Sequence, residues 1–530
     1  MKHTSSILLP PFQQVLGRRN FLRGGAQLGL AIATCAIPGL AAGAGTRLRS
    51  LPNNPFTLGV ASGDPTPDSI VLWTKLDSAV VSQANASELG IEVDFEISDS
   101  PNFTTIRRKG TVVALPEMSH SVHAEIRGLE PAREYYFRWM VAGENSTTGR
   151  AKTAPAAYAE VDNFNFAFAS CQQYEQGFFT AYQHMAQEDL DLIVHLGDYI
   201  YESSWGENLV RAHEGPEIHT LADYRARYVT YKSDPHLQAA HAAAPWIVTW
   251  DDHEVDNNYA GLVPEDDQTP AQLLQRRKAA YQAYYEFMPI RLPVGRAGPD
   301  MPIHRRFRFG NLLEMNVLDT RQYRSDQSCG DGRKVSCSEH QESSRTLLGE
   351  AQKDWLFESL ATSDAHWNVL AQQVMMAGLR SVSDTGEELW PMDIWDGYPY
   401  ERRELLQHMV DVRTPNPVVL TGDIHSNWVA DLKTDFDDPN SPVMGTEFVG
   451  TSITSGGDGQ DMTEYGSSLL SHNPHVKFYN AQRGYVKANL NSSRWESEYK
   501  VLSHVTKPDA KIVTRAKYVV EAGRPGAELV

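Results

Sequence analysis

Ligand-type side chains recur directly after, or within, apolar runs of this sequence. Cys171 follows "NFNFAFAS", and Asp198 and Tyr201 follow "DLDLIVHLG". Asp251, Asp252, His253 and Glu254 follow "PWIVTW", and Asp319 and Arg321 follow "LLEMNVL". Gln372 and Gln373 sit within "WNVLAQQVMM", and Asp423 and His425 follow "NPVVLTG". Carboxylates, an imidazole, a phenol and a thiol together are the donors of a transition-metal site. Tyr201 stands three residues after Asp198, so a tight turn can aim both at one ion. A free phenol ionises near pH 10, so its ligation near neutrality calls for a highly charged ion, of which ferric iron is the natural choice. Asp198 and Asp252 would repel each other unless cations lay between them, which favours at least two metals. His253 is expected to act on a substrate, with the adjacent Glu254 orienting its ring. The dipeptide "GD" is common. "DHE" carries moderate information, and "GDIH" more, because a strand-end Asp-x-His offers two ligands from one turn.

Residues this far apart meet only if the elements before them share an edge. The apolar runs, with "TEFVGTSITSGG", read as buried strands. They alternate with helical stretches such as "FFTAYQHMAQED", "PAQLLQRRKAAYQAYYEFM" and "GEAQKDWLFESLATS". The pattern implies a mixed or parallel sheet covered on both faces. In such sheets ligands bind at the carboxyl ends of the strands, where these side chains would converge. Residues ~51–155 differ: "SIVLWTKL", "GIEVDFEIS", "GTVVAL", "HSVHAEI" and "EYYFRWMVAG" are short alternating segments between turns, as in a small sandwich. "TAPAAYAEVDN" reads as the linker. There is no internal repeat.

The chain of 530 residues exceeds one ordinary core, so two domains are expected. The net charge is 48 − 67 = −19, which argues against a nucleic-acid backbone or anionic lipid surface as the main partner. The paired Arg18 and Arg19, a mild apolar stretch from Leu28 to Leu40 and Ala42-Gly43-Ala44 resemble a twin-arginine signal. Residues 1–44 are therefore set apart from the fold, and their apolar run is too short to span a bilayer. No later stretch reads as transmembrane. Twin-arginine export carries folded proteins, a route suited to a chain that takes up metal before leaving the cytoplasm. Beyond Cys35, Cys329 and Cys337 in "SCGDGRKVSCSE" are expected to form a small disulfide, leaving Cys171 unpaired.

Several residues carry two readings. Arg321 either acts on substrate or pairs with Asp319. Trp395 and Tyr398 in "DIWDGYPYE" either line the cleft or anchor a loop. Tyr199 reads as packing, Asn257 and Asn258 as turn residues, and "FYNAQRGY" as a lid.

The ordered set of motifs resembles the PhoD-like (alkaline phosphatase D) family of calcineurin-like metallophosphoesterases, with kinship to purple acid phosphatases. It runs from the leader and "LGVASGDPTPDSIVLWTKL" through "FASCQQYEQGFFTAY", "HLGDYIYE", "TWDDHEVDNNYAG", "RRKAAYQAYYEFMPIR", "LDTRQYR", "WNVLAQQVMM" and "DIWDGYPYERREL" to "LTGDIHSNWVADL". The resemblance implies an α/β fold. A metallophosphoesterase-type sheet sandwich flanked by helices (160–520) would follow a small fibronectin-like all-β sandwich (51–155). It implies Fe3+ held by Cys171, Asp198 and Tyr201, with His425 completing the shell. Asp198 would bridge to a second metal, expected to be Ca2+, held also by Asp252 and Asp423. The wider superfamily has Asn where Asp252 stands and His where Asp423 stands, and both departures favour a hard ion. Asp251 competes with Asp252, and Gln372 or Gln373 falls where relatives use a histidine ligand.

The implied chemistry is attack of a metal-activated hydroxide on phosphorus. His253 and Arg321 would be the catalytic side chains, and no phosphoenzyme is expected. The expected protein is a periplasmic or secreted monomer. It would hydrolyse phosphate mono- and diesters, having met only the twin-arginine machinery on its way out. The alternatives are a phospholipase D-type phosphodiesterase and a catalytically inactive extracellular binding protein on the same fold.

Overall fold

The seven apolar runs do form strands, but they divide between two sheets rather than sharing one. The computed structural model describes residues 45–206, 209–265, 268–291 and 298–530; the leader with Arg18, Arg19 and Cys35 lies outside them. Strands Phe164–Ala169, Leu192–His195 and Pro245–Val248 run parallel at the centre of a ten-stranded sheet. Strands Leu313–Val317, Trp367–Ala371, Pro417–Thr421 and Val443–Val449 run parallel in a seven-stranded one.

The two sheets pack face to face. Phe166, Phe168, Leu192, Val194 and Ile247 of the first meet Met315, Val317, Val369, Leu420 and Phe448 of the second in one buried layer. The alternate residues of the first sheet, Ala167, Ala169, Ile193, Trp246 and Val248, face a shell that includes helices Leu221–Lys232, Pro235–Ala243 and Pro270–Phe287. On the far side Leu370, Val419 and Val449 pack under helices Glu350–Thr362, Pro399–Asp411 and Glu464–His472. A strand covered by a sheet on one face and helices on the other is as apolar as one covered by helices on both. The single-sheet reading and the sandwich therefore write the same pattern. Local signals fix the helix starts. Thr269 accepts the amide of Gln272 while the Gln272 side chain reaches back, and Pro270 fills the first turn.

All five short alternating segments near the N-terminus are strands. Ile91–Ser98, Ile106–Ala114 and Glu134–Val141 form an antiparallel sheet with two shorter strands. Ser69–Lys75 and Ser121–Arg127 make the opposing layer, with Val93, Phe95, Phe137 and Trp139 packed on Ile70, Leu72 and Val122. That layer is not separate from the larger sheet. Strand Val60–Gly63 pairs antiparallel with Ser69–Lys75 and parallel with Pro245–Val248, placing Ser62 opposite Pro245. The approach is close enough that a Cβ on Gly63 would lie 2.2 Å from the Pro289 carbonyl oxygen. Among the described residues no helix is long and apolar enough to cross a membrane. Cys329 and Cys337 are joined as a disulfide, and Cys171 is free and buried.

Asp64, buried just past this strand, ties the junction. Its carboxylate accepts the Arg291 amide at 2.8 Å and the Arg305 guanidinium at 2.8 and 3.2 Å, and Arg305 also donates to the Val248 carbonyl at 2.9 Å. Replacing Asp64 by Ala strands a mostly buried guanidinium and an amide. The expected cost is about 3 kcal/mol. Urea unfolding should show it as a lower midpoint, and a midpoint equal to that of the parent would remove Asp64 from the joint.

Candidate active site

Each central strand ends in a turn that leaves the sheet at once. Gly197 makes the turn after Leu192–His195 possible: its φ is +111°, and a Cβ there would lie 2.4 Å from the Cβ of Asp251. Asp198 follows at φ +56°. Cys171 (+58°), Asp423 (+61°) and His425 (+56°) are also left-handed. Such backbone costs about 1–2 kcal/mol for a residue with a Cβ, and it clusters where function fixes the geometry. The turns are sewn together by main-chain bonds. The Cys171 amide donates to Gly197 O at 3.1 Å and the Gln172 amide to Asp198 O at 3.0 Å.

Glu254 completes this sewing. Its buried carboxylate accepts the amides of Asp198 (3.1 Å), Tyr199 (2.6 Å) and Asp251 (2.9 Å), so one side chain holds two donor-bearing turns. It does not orient His253, as sequence adjacency suggests. The His253 partner is Glu202, whose Oε2 lies 2.7 Å from Nδ1. The ring stacks on Tyr201 at 4.2 Å.

The expected donors converge. Cys171, Asp198 and His425 form one group, Asp198, Asp252 and His253 a second, and Asp251, Asp252 and Asp423 a third. Within each group the ligand atoms lie inside 4.8 Å of one another. Tyr201 Oη is 2.9 Å from Asp198 Oδ2, 3.3 Å from His425 Nε2 and 2.7 Å from Ser455 Oγ, and Ser455 in turn donates to the Cys171 carbonyl at 2.7 Å. Asp252 accepts the amides of His253 (2.9 Å) and Asn258 (2.8 Å). Arg321 is fully buried. It donates to Asp251, to both oxygens of Asp393 at 3.1 Å and to Asp423 at 2.9 Å. Its guanidinium does not pair with the Asp319 carboxylate, which accepts the backbone amides of Arg321 and Gln322 and the Trp250 indole.

Other expected contributors point elsewhere. Gln373 bonds Thr320, Thr249 and the carbonyls of Trp250 and Leu318. Gln372 bonds Val374 O, Thr421 and the Trp395 indole. Both side-chain amides are thus engaged by hydrogen bonds within the protein. Trp395 and Tyr398 are buried anchors, Tyr398 donating to Ser325 O at 2.6 Å. Tyr199 packs and bonds His241 at 2.7 Å. "FYNAQRGY" is no lid: it is the end of strand Val476–Asn480 and the start of Gly484–Leu490. Residues not foreseen at the site are Glu202, Asp393, Ser455, Arg483 and the half-buried Trp205. The Trp205 ring lies 5.8 Å from those of both His253 and His425.

Electrostatics show what the site lacks. Burial pushes the Cys171 thiol and the Tyr201 phenol well up, each aided by Asp198. Burial likewise raises the Asp198 and Asp423 carboxyls, the latter with Asp251 beside it, and it brings Asp251 to about 6 against the pull of Arg321. It drops His425 to about 3. For Asp252 burial is outweighed by Arg321 and His253, which hold the carboxyl well below its usual range. For His253 burial is outweighed by Glu202 and Asp252, which hold the ring cationic. Asp198 Oδ1 and Asp251 Oδ2 are buried with no hydrogen-bond partner among the described residues. Crowded acids, a thiol, a phenol and orphaned oxygens fit a cluster of cations, whose charge would reverse each upward shift.

Comparison with known proteins agrees with this geometry. Residues 166–499 match the family model described as PhoD-like phosphatase, and residues 42–155 match that of the PhoD-like phosphatase N-terminal domain. The chain is 46% identical over 519 residues to alkaline phosphatase D of Bacillus subtilis (strain 168), covering 97% of this chain and 89% of that one. A solved structure described as "Structure of PhoD" superposes with a TM-score of 0.88 at 48% identity, covering 90% of this chain and 92% of that one.

Gly197→Ala tests the central turn. The added methyl meets Asp251 and the backbone is left-handed, so a loss of at least ~1 kcal/mol is expected. Because Asp198 and Asp251 must separate, metal uptake should fall as well, which elemental analysis of the purified variant reads directly. Full metal content would show that this turn does not set the donor positions.

Proposed function

Because the chain belongs to the PhoD-like phosphatase family and is a phosphoric ester hydrolase, we propose that its donor cluster holds ferric iron and calcium and that it acts on phosphate mono- and diesters after export. The observation that carries this reading is the meeting, within 4.8 Å, of ligand atoms from strand ends hundreds of residues apart. Cys171, Asp198, Tyr201 and His425 would hold the iron, because thiolate and phenolate both need a strongly polarising ion. Asp198, Asp252 and Asp423 would hold calcium, a hard ion suited to oxygen donors. Asp252 is preferred to Asp251 because it alone joins the group containing Asp198, while Asp251 is engaged by Arg321. When bound, the ions supply Lewis acidity, polarising the phosphoryl oxygens and making water nucleophilic near neutral pH.

The protein's own groups do the rest. His253 is cationic, fixed at Nδ1 by Glu202, so Nε2–H is the donor available to a phosphoryl or leaving-group oxygen. Arg321 is a positioning residue. Its donors are taken by Asp251, Asp393 and Asp423, and it keeps the carboxylates from flying apart. Trp205 stands against the histidine side of the site, its ring beside those of His253 and His425. We assign residues 1–44 to a twin-arginine leader, 51–155 to an N-terminal β-sandwich and 160–520 to the catalytic domain, in a monomer that works in the periplasm or outside the cell.

Purified protein should contain iron and calcium and should hydrolyse p-nitrophenyl phosphate and bis(p-nitrophenyl) phosphate. A chelator should abolish both activities, and undiminished turnover after complete stripping would defeat the metal reading. The iron-bound phenolate should give a visible absorption band that disappears in Tyr201→Phe; a persisting band would take Tyr201 off the iron. Exchanging Arg18 and Arg19 together for Lys should leave the protein unexported, as fractionation of cells would reveal. Normal export would refute the leader assignment.

A further inference from the structure

Arg483 is a buried cation with no ion pair among the described residues, the Asp458 carboxylate acting on it only at a distance. It sits in the turn that carries the chain from strand Val476–Asn480 of the seven-stranded sheet to Gly484–Leu490 of the ten-stranded one. The residue is only 8% exposed. Its Nε donates to the Gly457 carbonyl at 2.8 Å and its Nη1 to the carbonyl of His425. Nη2 has no hydrogen-bond partner among the described residues, and no carboxylate pairs with the group. Arg321, another buried guanidinium of the site, faces four acids. Burial brings Arg483 down to about 10, so it remains charged at neutral pH.

A buried charge is ordinarily paired, because desolvation is otherwise uncompensated. The guanidinium is also held in one plane by its two carbonyls. One belongs to His425, and the other to the turn whose Ser455 hydroxyl meets Tyr201. Gly456 packs closely against the guanidinium: its φ is +88°, and a Cβ there would lie 2.6 Å from Nη2, so only glycine admits the side chain in this place. The charge reaches the rings of His425 and Tyr201 and the thiol of Cys171. Its bond to the His425 carbonyl puts it beside the Cys171–Asp198–His425 group, whereas Arg321 serves Asp251 and Asp423.

We propose that Arg483 is a substrate-binding residue whose free edge holds a non-bridging oxygen of the phosphoryl group. The ester or the product phosphate then supplies the direct anionic partner that no carboxylate among the described residues provides. This rests on the phosphoester-hydrolase reading of the same site. A monoester dianion presents more charge to this edge than a diester monoanion, so Arg483 favours monoesters and retains phosphate.

The test uses the metal-loaded parent, Arg483→Met and Arg483→Lys. Inorganic phosphate binding is measured by calorimetry, iron and calcium by elemental analysis, and KM and kcat with both nitrophenyl esters. In Arg483→Met, phosphate should bind about 10- to 100-fold more weakly. KM for the monoester should rise in step, KM for the diester less, and metal content should hold. Arg483→Lys keeps the charge without the fork and should fall between. If the Met variant does not fold, the Lys variant decides: unchanged phosphate affinity overturns the proposal. So does loss of metal from both variants with phosphate binding intact in the loaded fraction, which is the behaviour of a structural clamp. Equal losses for both esters overturn the monoester preference. Phosphate binding that depends on Arg483 in a parent inert toward both esters upholds this site and defeats the hydrolase reading instead.

Discussion

Asp198, Asp251, Asp252, Asp393 and Asp423 crowd the rim where two sheets meet, and the charge they concentrate governs everything around them. Two like charges ~4 Å apart repel by about 4 kcal/mol at the effective dielectric of a protein interior. Arg321 and the His253 imidazolium offset part of this. Within the chain, the remainder can be relieved only by protonation, which is the direction burial drives Asp198 and Asp423. Cations relieve it while leaving the acids ionised, and they also recruit the thiol and the phenol that burial keeps neutral. Metal affinity here is thus a property of the fold's energetics as much as of its donors.

Repulsion of this size would spread the donors unless the backbone prevented it. Left-handed residues at Cys171, Asp198, Asp423 and His425 fix where each side chain begins. Their turns are locked by bonds that use no donor atom: Glu254 to three amides, Cys171 to Gly197, Gly422 to Gln373. The strain is local, whereas its compensation comes from the sheets below, whose shared apolar layer no single turn can distort. Preorganisation of this kind places the reorganisation cost in folding rather than in turnover.

Much of this was readable from residues alone, for a definite reason. A buried strand has to be apolar, so a Cys, Tyr or Asp at its tip stands out, and parallel strands share the edge at which they end. Strand tips alone point to a wider constellation from Cys171 to His425, of which Cys171, Asp198, Asp252 and His425 do come together; the choice of the donor set at 171, 198, 201, 252, 423 and 425 comes from the family resemblance. What failed depends on faces and turns. The residues alone suggest one sheet, because a strand cannot tell helices from a second sheet above it; the sheet sandwich that the resemblance implies is what forms. Glu254 was assigned to its neighbour His253, but the turn sends it backward to the amides at 198 and 199, and the histidine meets Glu202, 51 positions away. Gln372 and Gln373 looked like ligand substitutes, yet they satisfy buried backbone instead. Arg483 lay inside a segment read as a lid, and no local pattern distinguishes an arginine with an acid beside it from one without.

The parallel pairing of Val60–Gly63 with Pro245–Val248 bears on how such a chain reaches its shape. The ribosome releases the first strand long before the second exists, and one edge strand of the same sheet, Arg524–Leu529, is made later still. An early-folding front portion would therefore wait with a bare hydrogen-bonding margin, the kind of surface that captures other chains. Closure of this sheet thus rests on pairings between segments made nearly two hundred residues apart.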